Sequence, residues 1–207
     1  MKKIISLMLA LVLVFSLSTS AFAAESPGDA SAIELQNAIS KVNFDVQKMT
    51  DKELAIYNEV LSAAIKQEKA SNPNFNEKEF VQQVNQLLYM MEYGQNRPMT
   101  RALIQFSIPN GVVATAVNVG VSLIAGGATS AAIKALVSKY GASVAANMLA
   151  KEVTARLLAI GIREVTGIGT VIRTVVKNVL DPGSTVADWL DNHDPNPGNG
   201  HVDVAIG

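Results

Sequence analysis

The chain opens with Lys2 and Lys3, then an apolar run over residues 4–17 broken only by Ser6 and Ser16, then Ser18, Thr19, Ser20 and Ala21-Phe22-Ala23. A positive start, a short apolar stretch and small residues at Ala21 and Ala23 form the pattern of a secretory signal peptide. The peptidase has shallow pockets, so the expected cut lies between Ala23 and Ala24, leaving residues 24–207. The run is short for a bilayer span, which needs about 20 apolar residues. The protein is therefore expected to be secreted, free or associated with the cell envelope.

Past the cut the pattern turns helical. Residues 28–47 read as a weak helix with Ile33, Leu35, Ile39, Val42 and Val46 apolar. Thr50, Asp51, Lys52 and Glu53 form a capping box. Leu54, Tyr57, Val60, Leu61, Ala64 and Ile65 follow at helical spacing to about Ala70. Pro73 sits in a loop, and Asn76 caps a third helix with Glu77 and Glu79 in its first turn. Its apolar face holds Phe80, Val81, Val84, Leu87, Leu88 and Met91, and Gly94 ends it. The polar connection from Gly94 to Arg101 contains Pro98 and marks a boundary and an accessible place for a second cut near Arg97–Arg101.

Residues 102–133 carry no charge, and Pro109, Asn110 and Gly111 break the run. The longer piece, residues 112–133, would span about 33 Å as a helix, enough to cross a bilayer core. Thr115, Asn118, Ser122, Thr129 and Ser130 temper its hydrophobicity, while Gly120, Gly126 and Gly127 allow close helix approach. Val113, Thr115, Val117, Val119, Val121 and Leu123 also alternate like a strand, so residues 112–124 fit either structure. Helix is favoured because the sequence downstream is Ala-rich and helical in period. Lys134 to Tyr140 finishes a helix, Gly141 punctuates, and residues 142–165 read as a long helix with a narrow polar strip. Gly167 and Gly169 break it, and Val171, Ile172, Val175, Val176 and Val179 stripe a last helix. Pro182 and Gly183 stop that helix, Thr185 caps a short turn with Trp189 and Leu190, and residues 191–200 read as flexible.

The fold expected is all-α in four parts. These are the signal peptide (1–23), an acidic amphipathic helical region that is a candidate pro-region (24–97), Gly/Ala/Val-rich hydrophobic, cationic helices (98–180) and a flexible acidic Pro/Gly-rich tail (181–207). The near-zero net charge hides these blocks. Residues 24–100 balance to −4, residues 101–180 to +6 and residues 181–207 to −5. The cationic block consists of Arg101, Lys134, Lys139, Lys151, Arg156, Arg163, Arg173 and Lys177, against Glu152 and Glu164. Such asymmetry points to a membrane or polyanion partner, or to oppositely charged parts that pack together. Sparse basic residues without interleaved aromatics argue against nucleic acid.

Candidate chemistry is thin. The chain has no cysteine, so it has no disulfides, no lipid anchor at the cut and no thiol nucleophile. Gly-x-Ser-x-Gly and Ser-x-x-Lys patterns are absent, and Gly167, Gly169 and Ile172 make only part of a dinucleotide loop. His193 and His201 with Asp191, Asp194 and Asp203 are the metal-ligand types available, but Asp194, Asn196 and Gly198 miss the calcium-loop spacing. A solvated acidic tail is expected instead, with no catalytic, cofactor or metal site.

Phe106, Ser107, Ile108 and Pro109, followed by residues 112–119 and a Gly/Ala-rich cationic run, resemble the circular bacteriocins. The plan of signal peptide, helical pro-region and hydrophobic segment also resembles secreted pro-toxins of the sporulation-delaying kind. The resemblance covers residues 106–165 and is carried mostly by composition. The leader is longer than in most circular bacteriocins, the C-terminus is acidic rather than apolar, and the cysteine pair of the sporulation toxin is missing. The resemblance implies a compact helical protein that permeabilises membranes. The first expectation is thus a secreted membrane-active protein, with Lys134, Lys139, Lys151, Arg156, Arg163, Arg173 and Lys177 drawn to an anionic membrane. The alternative is a secreted helical structural or interaction domain, not an enzyme, with a helical protein partner or self-association. Buried core helices would place Lys151, Arg156 and Arg163 on one exposed face. Lipid activity would leave hydrophobic positions exposed.

Overall fold

The computed structural model describes residues 29–94, 104–127, 129–162, 167–178 and 181–206. Ala21, Ala23, Ala24, the connection with Arg97 and Arg101, and Arg163 lie outside the described residues. The chain is mostly helical.

Helix α1 (Asp29–Ile39) stops well short of residue 47. The cause is local: Asp45 N–H donates to Asn43 Oδ1 at 2.9 Å and Gln47 N–H to Asp45 Oδ1 at 3.1 Å, which diverts the backbone from helical bonding into a 3-10 turn over Val46–Lys48. Phe44, only 3% exposed, plugs into the core from this turn. Thr50 and Glu53 then make both bonds of the capping box, and α2 runs over Asp51–Ser71. Asn76 accepts from the Glu79 N–H at 3.3 Å and starts α3, Glu77–Tyr93. The two helices bury Tyr57, Val60 and Leu61, and Val84, Leu88 and Met91.

Residues 112–124 are helical. They belong to α4 (Asn110–Ala125), which starts directly after Pro109. Period-2 apolarity gives way here because α4 is buried nearly all round, so its pattern carries no face. Gly126 at φ 76° ends α4, and its N–H reaches back to Ser122 and Leu123 carbonyls. The expected 22-residue apolar helix is thereby cut in two. Helix α5 (Thr129–Tyr140) departs at 41°, and among the described residues no single helix is long and apolar enough to cross a membrane. Gly141 at φ 80° turns the chain into α6 (Ala142–Ala159), and α7 (Ile168–Asn178) packs against α6.

The C-terminal residues differ most from expectation. Asp181, not Thr185, caps helix α8 (Pro182–Asp191) by accepting from the Gly183 and Ser184 N–H groups. Two strands then pair antiparallel: β1 (Ile104–Pro109) with β2 (His201–Ile206), in the register Phe106 to Val204, Ile108 to Val202 and Pro109 to His201. Residues 191–200, expected to be flexible, form a turn wound around Asp191. This carboxylate is only 5% exposed and accepts from Asn199 N–H at 3.0 Å, Gly200 N–H at 3.1 Å and Asn110 Nδ2 at 2.7 Å. A buried carboxylate satisfied three times is a strong local organiser.

Helix α4 is the centre of the fold. It packs against α8, α2, α5 and α3, with smaller contacts to α6 and the ribbon. Val113, Ala116 and Val119 have no exposed surface. Ile108, Val202 and Val204 close the ribbon onto the same core.

Candidate functional site

Helices α2, α4 and α8 meet around a cleft of about 470 Å³. Small residues make the room: Ala63 and Ala64 on α2, Ala114 on α4 and Ala187 on α8 all line it. Gly183 lets the start of α8 lie on α4, since a Cβ there would stand 2.0 Å from the Ala114 carbonyl oxygen. Gly183 N–H donates to Asn118 Oδ1 at 2.8 Å, and Asn118 Nδ2 donates to Asp181 Oδ1 at 2.8 Å. Asp181 Oδ2 accepts from Ser184 Oγ at 2.9 Å. One wall of the cleft is thus a closed polar network that serves the α8 cap.

The rest of the polar lining is less occupied. Glu68 and Asp188 both line the cleft, and neither side chain makes a hydrogen bond or ion pair with a described residue. Glu68 Oε1 lies over Gly111, so close that a Cβ there would overlap it. Asn110 donates its Nδ2 to Asp191, while its Oδ1 is buried without a hydrogen-bond partner. The carboxylate fixes the amide orientation, because only the NH₂ end can face it. Among the described residues the lining includes Glu68, Asp181 and Asp188 and no Lys, Arg or His. The Ser184 hydroxyl donates to Asp181, a carboxylate that also caps α8. Chemically the cleft presents an acceptor-rich surface.

The structure scatters the cationic residues singled out in the sequence. Arg156 is drawn inward: Nε donates to Glu152 Oε1 at 2.7 Å, Nη1 to Glu92 Oε2 at 2.9 Å, and the guanidinium lies 4.2 Å from the Phe44 ring centroid. Lys139 pairs with Glu34 at 2.9 Å, which raises the lysine's pKa and lowers that of the carboxyl. Arg173 donates to Asn147 Oδ1 at 3.0 Å, and Lys134 and Lys151 are exposed. For Lys177 the backbone of α7 is described but the side chain is not. Lys151 is exposed while Arg156 is mostly buried, so these two do not share an exposed face, and Arg163, the third residue expected on it, lies outside the described residues. Two acidic residues of the N-terminal block, Glu34 and Glu92, neutralise two cations of the next.

The glycines separate by role. Gly120 lets Phe44 approach α4, since a Cβ would come within 2.7 Å of the ring. Gly126 and Gly141 supply positive φ, and Gly127 has open space around it. Among the described residues the exposed large hydrophobics are Ile33, Leu54, Tyr89 and Leu158, each on a different helix.

In the C-terminal turn Asp194 accepts from the N–H groups of Asn196 and Asp203 at 2.9 and 2.6 Å. Hydrogen bonds from Ser107, Asn196 and Asn199 hold the Asp203 carboxyl below the usual range. His193 stacks on Trp189 with centroids 4.2 Å apart. Among the described residues no three His, Asp or Glu side chains are grouped to hold a metal ion. Sequence reading missed the cleft because Ala63, Ala114 and Ala187 look like ordinary helix formers. The available signal was Asn110 and Asn118, polar side chains inside a charge-free run. Compared with known proteins, the chain matches no family model, no curated protein and no solved structure.

Proposed function

We propose that the chain is an exported, non-catalytic helical module that acts by binding a partner, with its charge-free segment serving as the core of the fold. The enclosure of α4 carries this reading. Val112, Val113, Val119 and Val121 are each at most 1% exposed. Burial of such a side chain stabilises by about 1.5–3 kcal/mol, so withdrawing α4 into lipid forfeits a large share of what holds the fold. The experiment compares dye release from anionic vesicles by residues 24–207 and 102–207, alongside thermal unfolding of the longer chain. Cooperative unfolding with no leakage from either chain is the expected result. Leakage by the shorter form, suppressed in the longer and weakened by salt, overturns it.

The membrane-active reading keeps one observation in its favour. Helix α4 and residues 130–140 of α5 together have the length and apolarity of a broken membrane span, bent by 41°. Of the two, α4 is covered by the amphipathic α2 and α3, as one arm of a masked hairpin would be. In that reading the ion pairs of Glu34 and Glu92 with Lys139 and Arg156 form the mask.

A further inference from the structure

The sequence holds two Asn-Gly pairs, Asn110-Gly111 and Asn199-Gly200. In such a pair the glycine nitrogen can close a succinimide ring on the asparagine side chain, because no Cβ stands in its way and the backbone turns freely. The fold treats the two pairs differently. Asn110 is the first residue of α4, and its Nδ2 is tied to the buried Asp191. Asn199 is exposed in the turn between α8 and β2, and a Cβ at Gly200 would meet nothing within 4 Å. Both reacting groups of this exposed pair are nonetheless pinned. Gly200 N–H donates to Asp191 Oδ2 at 3.1 Å, and Asn199 N–H to Asp191 Oδ1 at 3.0 Å. Asn199 Oδ1 accepts from His201 N–H at 2.8 Å, and Asn199 Nδ2 donates to Asp203 Oδ2 at 2.9 Å. The Gly200 amide must shed its proton to attack, and a carboxylate against it opposes the negative charge that would form.

From this geometry we infer that Asn199-Gly200 is a self-modification site and a one-way latch on the C-terminal ribbon: the folded turn holds it shut, and it converts when β2 lifts away. Strand and turn share their anchors, since Asp203 lies on β2 and Asn110 N–H donates to the Gly200 carbonyl at 3.0 Å. Lifting β2 therefore frees the amide. The Gly200 nitrogen then attacks Asn199 Cγ. The N–Cγ bond forms, the Cγ–Nδ2 bond breaks, the Gly200 proton passes through solvent to the departing nitrogen, and ammonia leaves a succinimide. Water opens that ring at either carbonyl, giving aspartate or an isoaspartyl link, with no change of oxidation state. Neither product restores the turn. A carboxylate at position 199 faces Asp203 in place of an amide donor, and like charges repel. An isoaspartyl link adds a backbone atom between the two N–H groups that Asp191 holds. The latch is independent of any partner the chain binds.

The test incubates residues 24–207 at mildly alkaline pH, folded and in urea, and follows conversion at Asn199 and Asn110 by peptide mass mapping. Asn199 is expected to convert about tenfold more slowly folded than in urea, and Asn110 more slowly still, because it waits on global rather than local opening. Val202→Ala removes a side chain 1% exposed on β2 without touching either asparagine or its partners, and is expected to speed Asn199 about tenfold. Leu149→Ala on α6 is expected to speed Asn110 and leave Asn199 unchanged. Returned to neutral pH, the converted chain is expected to exchange the amides of residues 201–206 faster than the unconverted one, and Asn199→Asp to do the same. The first comparison needs no substitution, so it decides even if Val202→Ala fails to fold. Equal rates at Asn199 folded and in urea, Asn199 and Asn110 converting in step, Asn199 unmoved by a folded Val202→Ala, or unchanged exchange after conversion each overturns the inference.

Discussion

Arg156 shows how one residue's role is set by its surroundings. On the sequence it is one cation of a +6 block. In the fold its guanidinium, with its side chain 17% exposed, holds Glu92 and Glu152 and lies over Phe44. Replacing it by alanine strands two carboxylates and uncovers the ring, so Arg156→Ala is expected to cost about 2–3 kcal/mol in urea unfolding. The glycines offer a paired test. A Cβ at Gly120 meets the edge of the Phe44 ring at 2.7 Å, and that ring can turn. At Gly183 the Cβ meets the Ala114 backbone carbonyl at 2.0 Å, which cannot move without separating α8 from α4. Gly120→Ala should therefore cost about 1 kcal/mol and Gly183→Ala about 3 kcal/mol or more, read from the same denaturant midpoints.

At the scale of elements, the β ribbon and the α2 cap both depend on carboxylates. Asp203 is held below the usual range by Ser107 and by the amides of Asn196 and Asn199. Burial pushes the Glu53 carboxyl up, but bonds from Thr50 and Asn43 outweigh it and leave it lowered. A carboxyl lowered in the folded state binds its proton more weakly there than when unfolded. Its contribution is complete above the unfolded pKa, about 4, and is lost as pH falls through the lower folded value. The unfolding temperature is thus expected to hold near neutrality and fall below about pH 4, with a shallower fall in Asp203→Asn and Thr50→Ala. An unchanged slope in both variants would show that other carboxyls control acid unfolding. Asp191 anchors the turn between α8 and β2 through three hydrogen bonds. Asp191→Ala should release the ribbon, seen as faster hydrogen exchange at the amides of residues 201–206, and should cost about 2–4 kcal/mol.

The whole molecule is arranged around α4. Amphipathic α2 and α3 cover it from the acidic N-terminal part, α5, α6 and β1 from the cationic part, and α8 with β2 from the acidic C-terminal part. Each charge block therefore supplies one wall of a shared core, and the blocks also pair electrostatically through Glu34 with Lys139 and Glu92 with Arg156. One cooperative unfolding transition is the expected consequence, since no wall can leave without exposing α4. Leu149→Ala on α6, a side chain only 1% exposed, should lower that single midpoint by about 2–5 kcal/mol without splitting the transition. Two separate transitions would mean that the N-terminal helices fold independently of the rest.

Local chemistry in the sequence was enough for the helix starts at Thr50 and Asn76, the helical period through α2 and α3, and the stop after Tyr93. Caps and one-sided apolar stripes are properties of neighbouring residues, so they survive in a one-dimensional reading. Tertiary structure decided what such patterns cannot encode. A helix buried on every side has no polar face, so residues 112–124 read equally as strand. The break at Gly126 depends on where α5 must pack. Strand β2 pairs with residues about a hundred positions earlier, a match invisible in a tail rich in proline, glycine and aspartate. Glu68, Asn110 and Asp188 come from three different helices, and only the close approach of α8 to α4 at Gly183 gathers them around one cleft.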